Sequence, residues 1–338
     1  MTEHTTILDR AVGAVLGSAA GDALGAGYEF GPPVPEPTPI VMQGGGSFGW
    51  RPGEWTDDTS MAVPILQAVA RGDDPAAEAT LDGLVGAWAK WALDAPDVGI
   101  QTREVLSGLG PREPVPTRRG ACGATWRPSS WGEAHTAAAS RLAARRVHES
   151  TGRSAGNGSL MRTVPLVLAY LRGDDGEEER LASAARAVSD LTHHEADAGD
   201  ACVLWCVAIR HAVLHGELDV LRGLDLLGPA ARRTWTERLV AAEHAEPVAF
   251  TATNGWVVSA LQAAYAAVRS STSLEDALVR AVRSGNDTDT VAAIAGGLAG
   301  ALYGAAALPE EWRAVVHGWP ELRADDLVAM SEQAVGGR

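Results

Sequence analysis

Apolar residues recur at helical spacing along nearly the whole chain, and no segment alternates with the two-residue period of a half-buried strand. A first helix is expected from Thr6 to Gly27, with Leu8, Val12, Val15, Leu16, Ala19 and Ala23 on one face. The same stretch carries Gly13, Gly17, Gly21 and Gly25 at a spacing of four. Each glycine costs about 1 kcal/mol of helix propensity against alanine, so the repetition implies a second backbone packed closely on this helix. The natural partner is a late helix from Asp287 to Gly304, whose own small stripe is Gly296, Gly297, Gly300 and Gly304. Further helices are expected over residues 58–71, 76–94, 97–109, 132–150, 159–172, 177–191, 195–216, 229–244, 252–270 and 274–284. Pro75 suits a first helical turn, and Thr272-Ser273-Leu274-Glu275 reads as a capping box. Residues 31–54, rich in Pro and Gly, and 111–131, mixing Pro, Gly, Arg and Trp, break the pattern. Loops of that length in a compact domain are often functional. With no linker and no repeat, the pattern predicts one all-α, multi-helix domain over residues 1–338.

Composition narrows the class. At 46% hydrophobic and 21% charged residues, the chain can form a large core and is not disordered. A net charge of −15, with Lys90 the sole lysine and no basic run, disfavours a general nucleic-acid-binding role. Cys122, Cys202 and Cys206 are odd in number, and the last two lie one helical turn apart in an apolar stretch. They read as reduced, buried thiols rather than a disulfide frame or metal knuckle. Glu3 and Asp9 stand where a signal peptide would be basic. The run Val291–Leu308 is long enough to raise a membrane question, but its Ala and Gly content and flanking Asp287, Asp289, Glu310 and Glu311 make it a buried helix. A cytoplasmic protein without a membrane partner is expected.

Two acid clusters carry the sharpest chemical signal. Trp55-Thr56-Asp57-Asp58-Thr59 and Gly285-Asn286-Asp287-Thr288-Asp289-Thr290 each set carboxylates and hydroxyls just before an apolar helical run. Such oxygen donors suit hard divalent cations and lack any soft ligand for zinc or copper. Brought together, they would form a two-metal site; the alternative is that they simply cap two helices. The glycine-rich loop from Ser154 to Arg162 opens a helix and could receive a phosphate, or could be an ordinary helix start. His193 and His194 stand at another helix start, as catalyst or as cap. His211 and His215 have i,i+4 spacing without a third ligand and read as a solvated face.

The ordered set GDALGAGYE, WTDDTSMAV, DVGIQT, GNGSLMRTVPL, LTHH and GNDTDTVAAIAGGLAGALYG resembles the ADP-ribosylglycohydrolase family. That family includes the dinitrogenase-reductase-activating glycohydrolases of bacteria and the eukaryotic ADP-ribosyl-acceptor hydrolases. The resemblance implies a compact all-helical fold, two divalent cations (magnesium first, manganese as the alternative), and cleavage of the bond between ADP-ribose and an acceptor. It makes Thr56, Asp57, Asp58, Asp287, Asp289 and Thr290 metal ligands and Glu29 a mobile acid near the scissile bond. Asn157, Gly158, Ser159 and Met161 would line the ribose–diphosphate cleft, with Ser154 and Gly156 donating to phosphate. His193 would face the diphosphate or the ribose beyond it, and Gly99 would allow a close backbone approach.

Glu29 or Asp97 could pass protons at the anomeric centre, beside Asp57, Asp58 and Asp289 as the residues that carry the reaction. Asp97 also suits a guanidinium leaving group, gripped bidentately, or else caps the helix at 97–109. The arginine-directed bacterial branch is therefore the first expectation, with an ADP-ribosylated protein or small molecule as substrate. Hydrolysis of O-linked ADP-ribose, on serine or a metabolite ester, and a non-catalytic ADP-ribose-binding module are the alternatives. Two positions depart from the family pattern. Ala155 offers no aromatic face for adenine, leaving Trp126, Trp131 and Tyr28 as candidates, and Asn286 stands where glycine is commoner.

Overall fold

The computed structural model describes residues 3–109, 135–172 and 176–336, and helices predominate among them. In chain order the helices are α1 (Glu3–Gly25), α2 (Asp57–Ala70), α3 (Glu78–Trp91), α4 (Ile100–Ser107), α5 (Ala137–Thr151), α6 (Glu177–Ser189), α7 (Ala196–His215), α8 (Pro229–Glu243), α9 (Val257–Arg269), α10 (Leu274–Arg283), α11 (Thr288–Tyr303), α12 (Glu310–Arg313) and α13 (Ala324–Gly336). A short antiparallel ribbon, β1 (His317–Gly318) and β2 (Leu322–Arg323), lies between α12 and α13.

The two glycine stripes meet as the spacing predicts. A Cβ at Gly13 would overlap the Gly300 carbonyl, one at Gly17 the Gly296 carbonyl, one at Gly21 the Ala292 carbonyl, and one at Gly25 the backbone of Asp289. Helices α1 and α11 therefore run antiparallel with backbone on backbone, and the C-terminal end of α1 reaches the N-terminal end of α11. Around them, α7 is buried on every side from Ala198 to Arg210, as befits a helix apolar all round. Its Trp205 donates its indole N–H to the Ile294 carbonyl of α11 at 3.0 Å, so a deeply buried donor is satisfied.

Several boundaries differ from the periodic reading. The expected helix at 159–172 is two 3₁₀ segments, Asn157–Ser159 and Val164–Tyr170. Pro165 has no N–H for the Met161 carbonyl and its ring crowds that group, which bars a continuous α-helix. The expected helix at 252–270 is likewise split, a 3₁₀ segment at Pro247–Thr253 preceding α9. Pro75 lies in a turn ahead of α3. The capping box at α10 uses Asp276 rather than Glu275: Ser273 Oγ accepts from the Asp276 N–H, while Asp276 Oδ2 accepts from the Thr272 N–H. The ribbon and α13 are further elements that periodicity did not foresee, and α13 packs on α1, α2 and the 164–170 segment.

Cys202 and Cys206 are free and buried, as expected, whereas Cys122 lies outside the described residues. Of the histidine pair, only His215 is exposed. His211 is largely buried with its ring 4.6 Å from that of His215, so the pair is not a fully solvated face. Among the described residues no helix is long and apolar enough to cross a membrane.

Candidate metal centre and substrate cleft

The antiparallel α1–α11 contact brings the two acid clusters to one place. Asp57 and Asp58 occupy the first turn of α2, while Asp287 is the N-cap of α11 and Asp289 sits in its first turn. Both helix N-termini favour negative charge. Neither cap residue, Thr56 nor Asp287, uses its own side chain to cap its helix. Instead Asp22, from α1, accepts hydrogen bonds from the N–H groups of Thr56 (2.8 Å) and Thr59 (2.9 Å) and from the Thr59 hydroxyl (2.6 Å). Asp22 is fully buried and fixes the start of α2 against α1. It stands in the first glycine-rich motif, but sequence reasoning assigned it no role.

The carboxylates divide into two groups that share Asp289. Oxygens of Asp22, Asp58 and Asp289 lie within 4.8 Å of one another, and so do oxygens of Glu29, Asp97 and Asp289. Thr56 Oγ1 donates to Asp58 Oδ2 at 3.0 Å, and the Thr290 hydroxyl approaches the same oxygen at 3.5 Å. Asp57 Oδ2 accepts from the Gly99 N–H at 3.0 Å, and Asp287 Oδ2 accepts from Asn157 Nδ2 at 2.8 Å. Asp97 does not cap α4, whose N-cap is Gly99.

Among the described residues, three carboxylate oxygens are buried without any hydrogen-bond partner: Glu29 Oε2, Asp58 Oδ1 and Asp289 Oδ1. Unsatisfied buried acceptors are rare in folded proteins and call for an explanation. Burial, reinforced by the charges of neighbouring acids, holds Asp57, Asp58 and Asp289 well above the usual carboxylate range. Burial and then the Asp97 charge push Glu29 up to about 9, and burial with the Asp22 and Asp287 charges pushes Asp97 up to about 6. So many acids cannot ionise together in one buried place unless positive charge joins them. Hard oxygen donors, orphaned acceptors and crowded charge together fit these acids as a place that would hold hard metal cations.

Beside the acids opens a cleft of about 710 Å³, within the usual range for a small-molecule site. Gly99, Gly156, Asn157, Gly158, Met161 and His193 line it, as expected, together with Glu29, Asp57, Asp97 and Asp287. The Nε2 edge of His193 faces the two loop glycines, where a Cβ on either would stand 3.4 Å from that nitrogen. His193 is itself held from behind: Thr192 Oγ1 lies 2.7 Å from its Nδ1 and accepts from Arg162 Nη2 at 2.7 Å. Arg162 is fully buried, with its guanidinium 4.1 Å above the Trp88 ring. Burial, helped by the Arg162 charge, drives the His193 pKa well below its ordinary value, so the imidazole is neutral.

Two of the expected cleft residues do not reach it. Ser154 is buried, with its N–H donated to Glu195 Oε2 at 2.7 Å and its hydroxyl 2.8 Å from His148 Nδ1. Ser159 is buried beneath the loop, near Cys202 Sγ. In their place Gln101 lines the cleft and ties its walls together, donating to the carbonyls of Ser154 and Thr192, both at 2.9 Å. The only sequence signal for it was its place in the Asp97–Thr102 motif. Tyr28 does not line the cleft, since its hydroxyl is bonded to the Val41 backbone. Phe30 and Phe48 line it instead, while Trp126 and Trp131 lie outside the described residues. Asn286, with φ of 61°, adopts the left-handed conformation that asparagine tolerates. Its amide is fixed on the Thr251 carbonyl and Asn254 Oδ1, which explains how it replaces glycine there.

The sequence profile of the family described as ADP-ribosylglycohydrolase matches residues 3–337. The chain belongs to the ADP-ribosylglycohydrolase family. It is 32% identical over 316 residues to an ADP-ribosylarginine hydrolase, Tri1, of Pseudomonas putida (strain GB-1), covering 90% of this chain and 73% of that one. It is 30% identical over 317 residues to the ADP-ribosyl-[dinitrogen reductase] glycohydrolase of Rhodospirillum rubrum, covering 91% of this chain and 90% of that one. A solved structure titled ADP-ribosylglycohydrolase-related protein complex superposes with a TM-score of 0.69 at 28% identity, over 98% of this chain and 99% of its own. This ADP-ribosylglycohydrolase is thus an enzyme of the all-helical fold that its motifs implied.

Proposed function

We propose that this enzyme hydrolyses the N-glycosidic bond between ADP-ribose and arginine in mono-ADP-ribosylated acceptors, using two divalent cations, magnesium before manganese. The observation that carries this reading is the pair of carboxylate groups sharing Asp289, with orphaned oxygens on Glu29, Asp58 and Asp289, at the wall of the cleft. The name of the P. putida relative supports arginine as the acceptor, and that of the R. rubrum relative supports a modified protein as substrate.

Thr56, Asp57, Asp58, Asp287, Asp289 and Thr290, with Asp22 behind them, are the residues that would hold the cations. When bound, the cations stabilise developing negative charge and lower the pKa of an attacking water. The chain's own groups do the rest. The glycine-rich backbone at Gly156 and Gly158 and the neutral His193 receive the ribose–diphosphate. Asn157 couples that loop to Asp287. Asp97 grips the guanidinium and positions its nitrogen as the leaving group. Glu29 lies within the same carboxylate group and, ionised once positive charge offsets the crowded acids, would take the proton that water gives up as the anomeric carbon exchanges nitrogen for oxygen, and the departing guanidine nitrogen then receives that proton.

The test is incubation with ADP-ribosylated arginine and serine peptides in Mg²⁺, Mn²⁺ or EDTA, with free ADP-ribose quantified by mass spectrometry. We expect metal-dependent release from arginine. Asp289→Asn should lower it by more than the roughly 100-fold typical of losing a residue that only orients a metal ligand. Release from serine alone would sink the arginine assignment. Tight ADP-ribose binding without release from either peptide would make the protein a binder.

A further inference from the structure

A second cavity, of about 490 Å³, opens on the other side of the same carboxylates. Among the described residues it shares only Asp57 and Asp97 with the lining of the cleft described above. The divider is the loop ahead of α2: Phe48 lines the cleft, Trp50 lines the second cavity, and their rings are 6.0 Å apart. The far wall is built by the β1–β2 ribbon. The His317 N–H donates to the Gly53 carbonyl and the Trp55 N–H to the His317 carbonyl, both at 2.9 Å. Trp55 Nε1 donates to the Trp319 carbonyl at 3.2 Å. The ribbon is thus tied to the residues that lead directly into Thr56, Asp57 and Asp58.

The lining is unlike that of the first cleft. Indoles of Trp50, Trp91 and Trp319 stand in it alongside the carboxylates of Asp94 and Asp97, and acids outnumber basic side chains. Trp319 is 36% exposed, and Asp94 is exposed at the rim. The Trp50 indole N–H is buried without an acceptor. Aromatic faces beside carboxylates make a guanidinium environment, since arginine is planar, weakly hydrated and stacks on rings while its fork meets carboxylate oxygens. A serine hydroxyl would use neither feature.

We propose that this cavity is the acceptor subsite. It receives the arginine side chain and the peptide that carries it, with the guanidinium at Asp97 and Trp319 and Asp94 as specificity-determining contacts. The inference rests on the arginine reading above and deepens it. With the bond to be cut at Asp97, ADP-ribose occupies one cavity and its acceptor leaves through the other, and the two meet at Asp57 and Asp97.

The experiment compares wild type with Trp319→Ala, Trp319→Phe and Asp94→Arg in magnesium. It measures KM and kcat on an ADP-ribosylated arginine peptide, the Kd of ADP-ribose, and the Kd of the unmodified arginine peptide. Loss of a stacking face should raise KM about tenfold for Trp319→Ala, with Trp319→Phe close to wild type. Asp94→Arg should raise KM several-fold. ADP-ribose affinity should be unchanged throughout. Hydrolysis with native KM in both Trp319→Ala and Asp94→Arg overturns the subsite and leaves the activity standing. An equal loss of ADP-ribose affinity also overturns it, by assigning the cavity to ADP-ribose. A wild type that hydrolyses nothing, yet binds the arginine peptide in a way that both variants abolish, overturns the activity and supports the subsite. If it hydrolyses nothing and does not bind that peptide, both fail.

Discussion

Asp22 shows how much one buried side chain can organise. It begins from a position that looks like any acid in a helix, yet its two oxygens receive three hydrogen bonds from the first turn of α2. Those bonds orient Asp57 and Asp58, and burial raises the Asp22 pKa against the lowering effect of Thr59 and Thr56. An amide in its place offers one acceptor oxygen and sets an NH₂ group against backbone N–H donors. Asp22→Asn is therefore expected to weaken Mg²⁺ binding about 10- to 100-fold, the usual range when an orienting partner of a ligand is lost. Isothermal titration checks it, and native metal affinity would remove Asp22 from the site. The Arg162–Thr192–His193 chain works in the same way on the cleft side, fixing a neutral imidazole from behind.

At the scale of elements, the α1–α11 contact decides whether a site exists at all. Its glycines are irreplaceable for steric reasons: a methyl at Gly21 would meet the Ala292 carbonyl, a backbone atom that moves only if the helices part. Gly21→Ala should destabilise the protein by about 3 kcal/mol, as overpacking against backbone does. It should also weaken metal binding, because Asp22 and Asp289 are carried by those two helices. The contrasting case is Gly83 in α3, which is exposed and has nothing within 4 Å of an added Cβ. Gly83→Ala should stabilise by about 0.5–1 kcal/mol. Urea denaturation at fixed Mg²⁺ reads both, and equal effects of the two changes would refute the packing argument.

For the whole molecule, the concentrated buried charge links folding to pH and to metal. In the unfolded chain the carboxyls of Glu29, Asp57, Asp58, Asp97 and Asp289 lose their protons at about pH 4. In the metal-free fold those protons are retained to higher pH, to about 6 for Asp97 and about 9 for Glu29. Between those limits the folded state binds more protons than the unfolded one, so stability falls as pH rises. Buried His193 opposes this below about pH 6.5, where the unfolded chain takes up a proton that the fold refuses. Calorimetry in EDTA should therefore show Tm falling from about pH 7 to about pH 9. Added Mg²⁺ should raise Tm at every pH, and more at about pH 8 than at about pH 5, because ligands that have lost their protons bind it better. A flat metal-free profile would contradict the charge crowding inferred from the geometry.

Much of this was legible in the chain itself. The i,i+4 glycines specified a backbone-on-backbone helix pair, because only a close neighbour explains so many residues of poor helix propensity. The Asp-Asp and Asp-Thr-Asp clusters specified hard-cation chemistry, because donor type is a property of the residues. What the sequence left open was everything that depends on which way a group faces and what encloses it. Asp22 meets partners 34 and 37 residues away, and no local pattern marks that. Ser154 belonged to a promising loop, but the fold turned its N–H and hydroxyl toward Glu195 and His148. The second cavity arises only because a C-terminal ribbon docks on Gly53 and Trp55, more than two hundred residues earlier in the chain. Periodicity reports the apolar face of an element; hydrogen-bond direction, enclosure and the crowding of charge exist only once the elements have packed.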